Sequence, residues 1–211
     1  MKIRCSILET VRRNPVAYAE MLASGDGNTS GGSHGMFACF QDITRLIHLD
    51  EIDINQGVKE LEKKFQRFNI TPQYKAKQEL LTSQLVKYCR LYEKQGFRFV
   101  DGWRNMTWGI TADVSLTGRT PWVVANDSGY FSFILTEKPF EWSSELRFPL
   151  FQNYLCVNTI ECDITDMNVG VYCLENNSFD FLSYTQIEIA EAVSETTGIF
   201  DKVYKEYNKR K

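Results

Sequence analysis

Residues 116–138, LTGRTPWVVANDSGYFSFILTEK, have the pattern of two β-strands joined by a short turn. The segments 121–125 and 130–135 are rich in β-branched and aromatic residues, which are favoured in strands. The sequence NDSG at 126–129 carries the residue types that populate tight turns. We therefore predict a β-hairpin over residues 121–135, and the rest of the chain is interpreted around it.

On the N-terminal side of the hairpin, apolar residues recur at helical spacing. Helices are predicted over residues 6–22, 34–48, 53–68 and 71–95. Pro15 is expected to kink or divide the first helix, and Gly96 is expected to end the last. His48 is interpreted as a helix C-terminal residue that interacts with the helix dipole. Residues 1–96 are therefore predicted to be mainly helical.

The pattern changes after Gly96. Further strands are predicted at 97–100, 107–111, 114–116, 169–174 and 179–181. A helix is predicted to start at Ser143 or Ser144, and a closing helix at Thr185. No internal repeat or linker interrupts the chain. The sequence thus predicts one α/β domain over residues 1–211, in which a helical N-terminal half packs on a central mixed β-sheet with flanking helices, residues 97–211 supplying the sheet.

Charge is distributed unevenly along this 211-residue chain, whose formal net charge is −3. Residues 1–98 hold 15 Lys and Arg against 11 Asp and Glu, whereas residues 99–211 hold 9 against 16. A basic helical surface can neutralise DNA phosphates, although a solvated helix surface is the alternative. The candidate nucleic-acid contacts are Lys63, Lys64, Arg67, Lys75, Lys77 and Lys87.

The six cysteines form no CxxC pair, so neither a zinc site nor an iron–sulfur cluster is expected. No signal peptide and no apolar run long enough for a membrane span is recognisable. These features predict a cytoplasmic chain with reduced thiols and without a membrane partner.

Five short motifs follow one another along the chain. They are SILETVRRNPVAYA at 6–19, GGSHG at 31–35, LTGRTPW at 116–122, FILTEK at 133–138 and FPLFQNY at 148–154. In this order they resemble the motifs of the RecB-like branch of the PD-(D/E)XK nuclease superfamily, the branch of AddB-like and CRISPR-adaptation exonucleases. The resemblance spans nearly the whole chain and implies a restriction-endonuclease-like core.

In that family, an aspartate and a second acid hold Mg²⁺ or Mn²⁺, a lysine assists the attacking water, and a histidine can add a ligand. The resemblance places Pro121 and Thr136 at the two acid positions, Lys138 at the lysine and His34 at the histidine. Proline has no ligand atom, and threonine offers only a neutral hydroxyl. The resemblance therefore implies a degraded metal site. His34 as an exposed helix-start residue and Lys138 as an ordinary strand-end lysine are the alternatives.

Other carboxylates could replace the missing pair. Asp113, Glu137 and Glu145 lie near the motifs, but in a flat strand Glu137 points away from the face of Thr136 unless a bulge near Pro139 turns it. The candidate catalytic residues are Lys138, Glu137, Gln152 and Tyr154. The candidate metal ligands are His34, Asp113 and Glu145.

The favoured interpretation is a catalytically degenerate nuclease-fold protein that binds DNA without sequence preference. It would serve as a DNA-binding or scaffolding subunit, with a protein partner, in repair, recombination or defence, and would need no cofactor. One alternative is an active Mg²⁺- or Mn²⁺-dependent DNA nuclease with migrated carboxylates. Another is a protein–protein interaction domain without a nucleic-acid role.

Overall fold

The computed structural model describes residues 1–25, 35–69 and 71–210. Its helices are α1 (Leu8–Arg13), α2 (Pro15–Ala23), α3 (Met36–His48), α4 (Ile54–Phe65), α5 (Pro72–Lys94), α6 (Arg147–Leu155) and α7 (Gln186–Asn208). Its strands are β1 (Lys2–Arg4), β2 (Arg98–Asp101), β3 (Asn105–Gly109), β4 (Ser115–Arg119), β5 (Trp122–Asn126), β6 (Gly129–Thr136), β7 (Met167–Cys173) and β8 (Ser178–Leu182). The chain is α/β, as predicted.

The strands form two sheets, which corrects the prediction of one central sheet. The larger sheet has the order β2-β5-β6-β7-β8 and is mixed, because β6 and β7 are parallel and the other neighbours antiparallel. The smaller sheet has the order β1-β4-β3, with β1 parallel to β4. Strand β1 was not predicted, because three residues are too few to show an alternating pattern.

The predicted hairpin is confirmed as β5 and β6, which pair from Trp122 opposite Phe133 to Asn126 opposite Gly129. In its turn, the Asn126 side-chain oxygen accepts a hydrogen bond of 2.8 Å from the Ser128 amide. The parallel partner β7 is reached through α6, as parallel neighbours require a crossover connection.

Each face of the larger sheet is covered by its own set of helices. Phe133 and Leu135 of β6 pack into an apolar core with α3, α4 and α5. Ile134 of β6 and Val171 of β7 face a second core, formed with α1, α2, α6, α7 and the smaller sheet. This alternation along β6 decides which candidate side chains can share a surface.

Three further predictions are corrected or limited by the structure. Helix α6 begins at Arg147 rather than at Ser143 or Ser144, because residues 142–144 form a separate 3-10 turn. Directly before α6, the Leu146 amide donates a hydrogen bond of 2.7 Å to Glu9 Oε1. His48 does end α3, but it is buried and uncharged, so it adds no positive charge at the helix end. His34 lies outside the described residues.

None of the helices in the described part of the chain combines the length and the apolar character needed to cross a bilayer.

Candidate functional site

The site implied by the motifs lies at one end of the β5–β6 hairpin. Pro121 is buried directly before β5, and Thr136 is the last residue of β6. Because Trp122 is opposite Phe133, the beginning of β5 and the end of β6 are side by side. Lys138 follows two residues later and is exposed. The fold therefore brings the two residues that the resemblance aligns with acids to the same end of two neighbouring strands.

The side chains present there do not fit a hard divalent cation. Thr136 directs its hydroxyl to the Tyr172 carbonyl at 3.4 Å, and Pro121 offers no side-chain donor atom. Magnesium and manganese need several oxygen ligands, preferably carboxylates. Across the described residues, no three His, Cys, Asp or Glu side chains are grouped in a way that could hold a metal ion.

Glu137 lies on the opposite face of the sheet from Thr136. Beyond the end of β6 the chain bends at residues 137–138, where the Leu174 and Glu175 amides donate to the carbonyls of Thr136 and Glu137. The Glu137 carboxylate meets Lys77 Nζ of α5 at 2.7 Å. This ion pair places the carboxylate on the α5 side of the sheet, the side of Leu135 and not that of Thr136, although the chain bends at Glu137 and is no longer a flat strand.

Lys77 and Glu137 line a cleft of about 570 Å³ between α5 and the end of β6. Lys138 also lines it, together with Leu80, which is 56 % exposed. Gln84 is 5 % exposed, and its Oε1 atom is buried without a hydrogen-bond partner in the parts of the chain that are described. Gln84 was missed at the sequence level, because nothing in a helical pattern distinguishes it from a solvated glutamine.

The other two candidate carboxylates lie elsewhere. Glu145 forms an ion pair with Arg147 near the start of α6. Asp113 is exposed before β4, and its backbone carbonyl accepts from the N-terminal amine of Met1. Strand β4 separates it from Pro121 by on the order of 20 Å, at about 3.3 Å per residue. The three candidate carboxylates therefore lie in three different environments: Asp113 before β4, Glu137 beside α5 and Glu145 beside Arg147.

Arg147 is a second residue that the sequence patterns did not single out. Its guanidinium carbon lies 5.5 Å from the ring centre of Phe140 and 5.1 Å from that of Phe148. Phe140 belongs to the segment that follows Lys138. Arg147 is thus a cation stacked on two rings and paired with Glu145.

Gln152 and Tyr154 lie on different sides of α6. Gln152 is fully buried: its Oε1 accepts from the Tyr184 amide at 2.8 Å, and its Nε2 donates to the carbonyls of Ile164 and Tyr184, each at 3.0 Å. Tyr154 is half-buried, with its ring 5.9 Å from that of Trp108. Gln152 thereby holds α6 to the start of α7, and the catalytic roles of both residues stay predictions.

Four of the six predicted nucleic-acid contacts already have partners. These are Lys63 with Glu60 at 3.8 Å, Lys64 with Asp42 at 3.3 Å, Lys77 with Glu137, and Arg67, which donates to Cys39 Sγ at 3.0 Å and lies over the Phe68 ring. Lys75 and Lys87 are exposed on α5, and neither has an acidic partner among the described residues. These two lysines are the most available phosphate contacts.

No protein-family model matches the sequence, and no curated protein is detectably similar to it. The function is therefore inferred from the fold and from the site itself.

Proposed function

We propose that the protein is a RecB-like nuclease-fold protein that binds DNA without cleaving it. It acts as a DNA-binding or scaffolding subunit in repair, recombination or defence. The observation that carries this proposal is that the end of the β5–β6 hairpin carries no carboxylate at Pro121 or Thr136, the two residues that the resemblance aligns with the family's metal-binding acids. A fold with this site degraded can still offer a surface to DNA.

The arrangement of the motifs supports the resemblance on which the proposal rests. Residues 116–119 of the first strand motif form β4 in the smaller sheet, and only its last residue, Trp122, lies in β5, the antiparallel neighbour of β6. The helix with Gln152 follows this hairpin and leads to a strand parallel to β6. The resemblance requires this order of hairpin, helix and strand pair. Fold likeness alone does not establish function, so the DNA-binding role needs its own support.

That support comes from exposed cations of the cleft and of α5. Lys138 lines the cleft, and Lys75 and Lys87 are exposed on α5, where Lys75 lies beside a different cleft that Glu62 and Glu79 also line. Lysines that contact phosphates release counterions and add affinity without reading bases, which matches a partner bound without sequence preference. The separation of Asp113, Glu137 and Glu145 favours this function over a nuclease with migrated acids.

The proposal is tested by incubating end-labelled single- and double-stranded DNA with the protein and Mg²⁺ or Mn²⁺. We expect no cleavage by the wild-type chain, because the hairpin end supplies no carboxylate pair. Lys138→Ala serves as the matched variant, and DNA binding is measured for both proteins in parallel. Metal-dependent cleavage that Lys138→Ala abolishes would show an active nuclease. Neither cleavage nor DNA binding would leave the protein–protein interaction domain as the better account.

A further inference from the structure

A second cleft, of about 520 Å³, lies between the C-terminal ends of α3 and α5 and strand β2. Its apolar walls combine four aromatic side chains with three aliphatic ones: Tyr88, Tyr92, Phe97 and Phe99, and Ile47, Leu49 and Ile54. Its volume is within the range of small-molecule sites. This cleft shares no lining residue with the cleft at Lys77, so the two clefts are separate.

His48 is the polar centre of this cleft. It is 7 % exposed, and its ring centre lies 4.6 Å from that of Tyr92 and 4.7 Å from that of Trp122. Burial lowers the pKa of His48 to about 3, so the imidazole is neutral at physiological pH. A neutral imidazole has one nitrogen that donates and one that accepts.

The hydrogen bond to Tyr88 determines which nitrogen of the His48 ring donates and which accepts. His48 Nε2 and the Tyr88 hydroxyl are in hydrogen-bond contact, and Tyr88 has no other hydrogen-bond partner in the described part of the chain. Burial raises the pKa of Tyr88, so the hydroxyl keeps its proton. That proton is satisfied only if Tyr88 donates to Nε2, which leaves the proton of the imidazole on Nδ1. Nδ1 is then a donor without a protein partner in the residues described.

Tyr92 is the second polar group whose hydrogen bonding is incomplete. Its hydroxyl is buried and has no partner within the described ranges. Buried polar atoms in folded proteins are nearly always paired, so an unpaired hydroxyl on the wall of a cleft indicates a missing partner. The cleft thus holds a donor at His48 and a hydroxyl at Tyr92, both between aromatic rings.

The rim of the cleft determines the charge of the molecule that fits. Asp50, Glu93 and Arg98 all line the cleft, and Arg98 also lies 3.7 Å from the carboxylate of Asp127 outside it. The lining thus holds two carboxylates and one cation, a balance that disfavours an anion, and the carboxylates can accept hydrogen bonds from an amino group. Aromatic walls favour a planar ring system that can stack.

We propose that this cleft binds an uncharged planar amino-heterocycle of the nucleobase type, as a free base or nucleoside. A ring nitrogen or carbonyl of the ligand accepts from His48 Nδ1, the Tyr92 hydroxyl supplies a second hydrogen bond, and the amino group faces the acidic rim. The site is independent of the hairpin end and of the DNA-binding role.

The test is calorimetric titration of the full chain with adenosine and with cytidine, together with nitrogen NMR of the His48 ring. We expect saturable binding of at least one nucleoside at millimolar concentration, with a shift of the Nδ1 signal. Tyr92→Phe should weaken binding about tenfold, the effect of one hydrogen bond, without lowering thermal stability. Tyr204→Phe, a matched change on α7, should alter neither nucleoside binding nor thermal stability.

Two further probes separate a free nucleoside from a base within a nucleic acid. Adenosine 5′-monophosphate should bind more weakly than adenosine, because its phosphate meets the rim carboxylates. A pentamer of deoxyadenosine, which can also bind elsewhere through its phosphates, should shift the His48 Nδ1 signal no more than adenosine does. The proposal would be overturned by the absence of saturable binding of both nucleosides, or by a shift of the His48 Nδ1 signal with the pentamer alone. It would also be overturned if Tyr92→Phe lowered stability and left binding unchanged, since the hydroxyl would then be structural.

Discussion

At the scale of single residues, the interpretation of the candidate nuclease site depends on two side chains that cannot bind a divalent cation as a carboxylate would. Pro121 has no atom to offer a cation, and Thr136 directs its hydroxyl at a backbone carbonyl. Lys138 keeps its place, but its neighbour Glu137 is turned to α5 and paired with Lys77. A lysine without a carboxylate pair can still contact a phosphate, which is why we assign this edge to binding.

His48 leads to a prediction about stability and pH. Its folded pKa is about 3, whereas the ordinary value is 6.5. Between these two values the unfolded chain takes up a proton that the folded chain does not, so protonation favours unfolding. The contribution of His48 to the free energy of unfolding should therefore fall as the pH is lowered from about 6.5 to about 3.

The measurement is urea denaturation across this pH range for the wild type and for His48→Gln, whose side-chain oxygen can still accept from Tyr88. The variant should show a flatter dependence on pH. The histidine signal can be followed directly by NMR in a His34→Gln background, where His48 is the one remaining imidazole. A His48 signal that titrates near pH 6.5 in the folded protein would contradict the prediction.

At the scale of elements, strand β7 tolerates no side chain at Gly170. A Cβ atom built there would lie 1.9 Å from the Asp180 carbonyl oxygen of β8. Gly170→Ala should therefore force the strands apart and lower the free energy of unfolding by about 3 kcal/mol or more. Gly198→Ala is the matched control, since its Cβ in α7 meets nothing within 4 Å. It should raise stability by about 1 kcal/mol.

Chemical denaturation of the two glycine variants tests both the predicted loss and the predicted gain in the free energy of unfolding. A Gly170→Ala protein as stable as the wild type would mean that β7 and β8 do not pack as described. Equal losses in both variants would have the same meaning, because an unhindered helical glycine gains stability when replaced by alanine.

Elements with a long repeated pattern were the most predictable. The four N-terminal helical segments and the hairpin follow from apolar spacing and turn residues within a few positions. Strand β1 and the start of α6 were not predictable, because both depend on distant partners. Strand β1 pairs with β4, more than 110 residues away, and the start of α6 is met by Glu9.

At the scale of the whole molecule, the contacts that shape both clefts join distant parts of the chain. Lys77 meets Glu137, and His48 meets Tyr88. The local sequence pattern shows which residues are polar, but it does not show which residues from distant parts of the chain are in contact. The sequence could therefore predict that Thr136 and Lys138 lie together at the end of the hairpin, because a single hairpin creates that arrangement. It could not predict the aromatic cleft, which needs α3, α5 and β2 together.

The central claim is that this fold binds DNA through its phosphates. The most direct measurement is the fluorescence anisotropy of labelled single- and double-stranded oligonucleotides across a salt series in EDTA. The wild type is compared with Lys75→Gln/Lys87→Gln and with the matched pair Lys202→Gln/Lys205→Gln on α7. We predict metal-independent binding whose logarithm falls linearly with the logarithm of salt concentration. The α5 pair should reduce that slope by about two, and the α7 pair should leave it unchanged. No binding at low salt, or equal losses in both variants, would contradict the account.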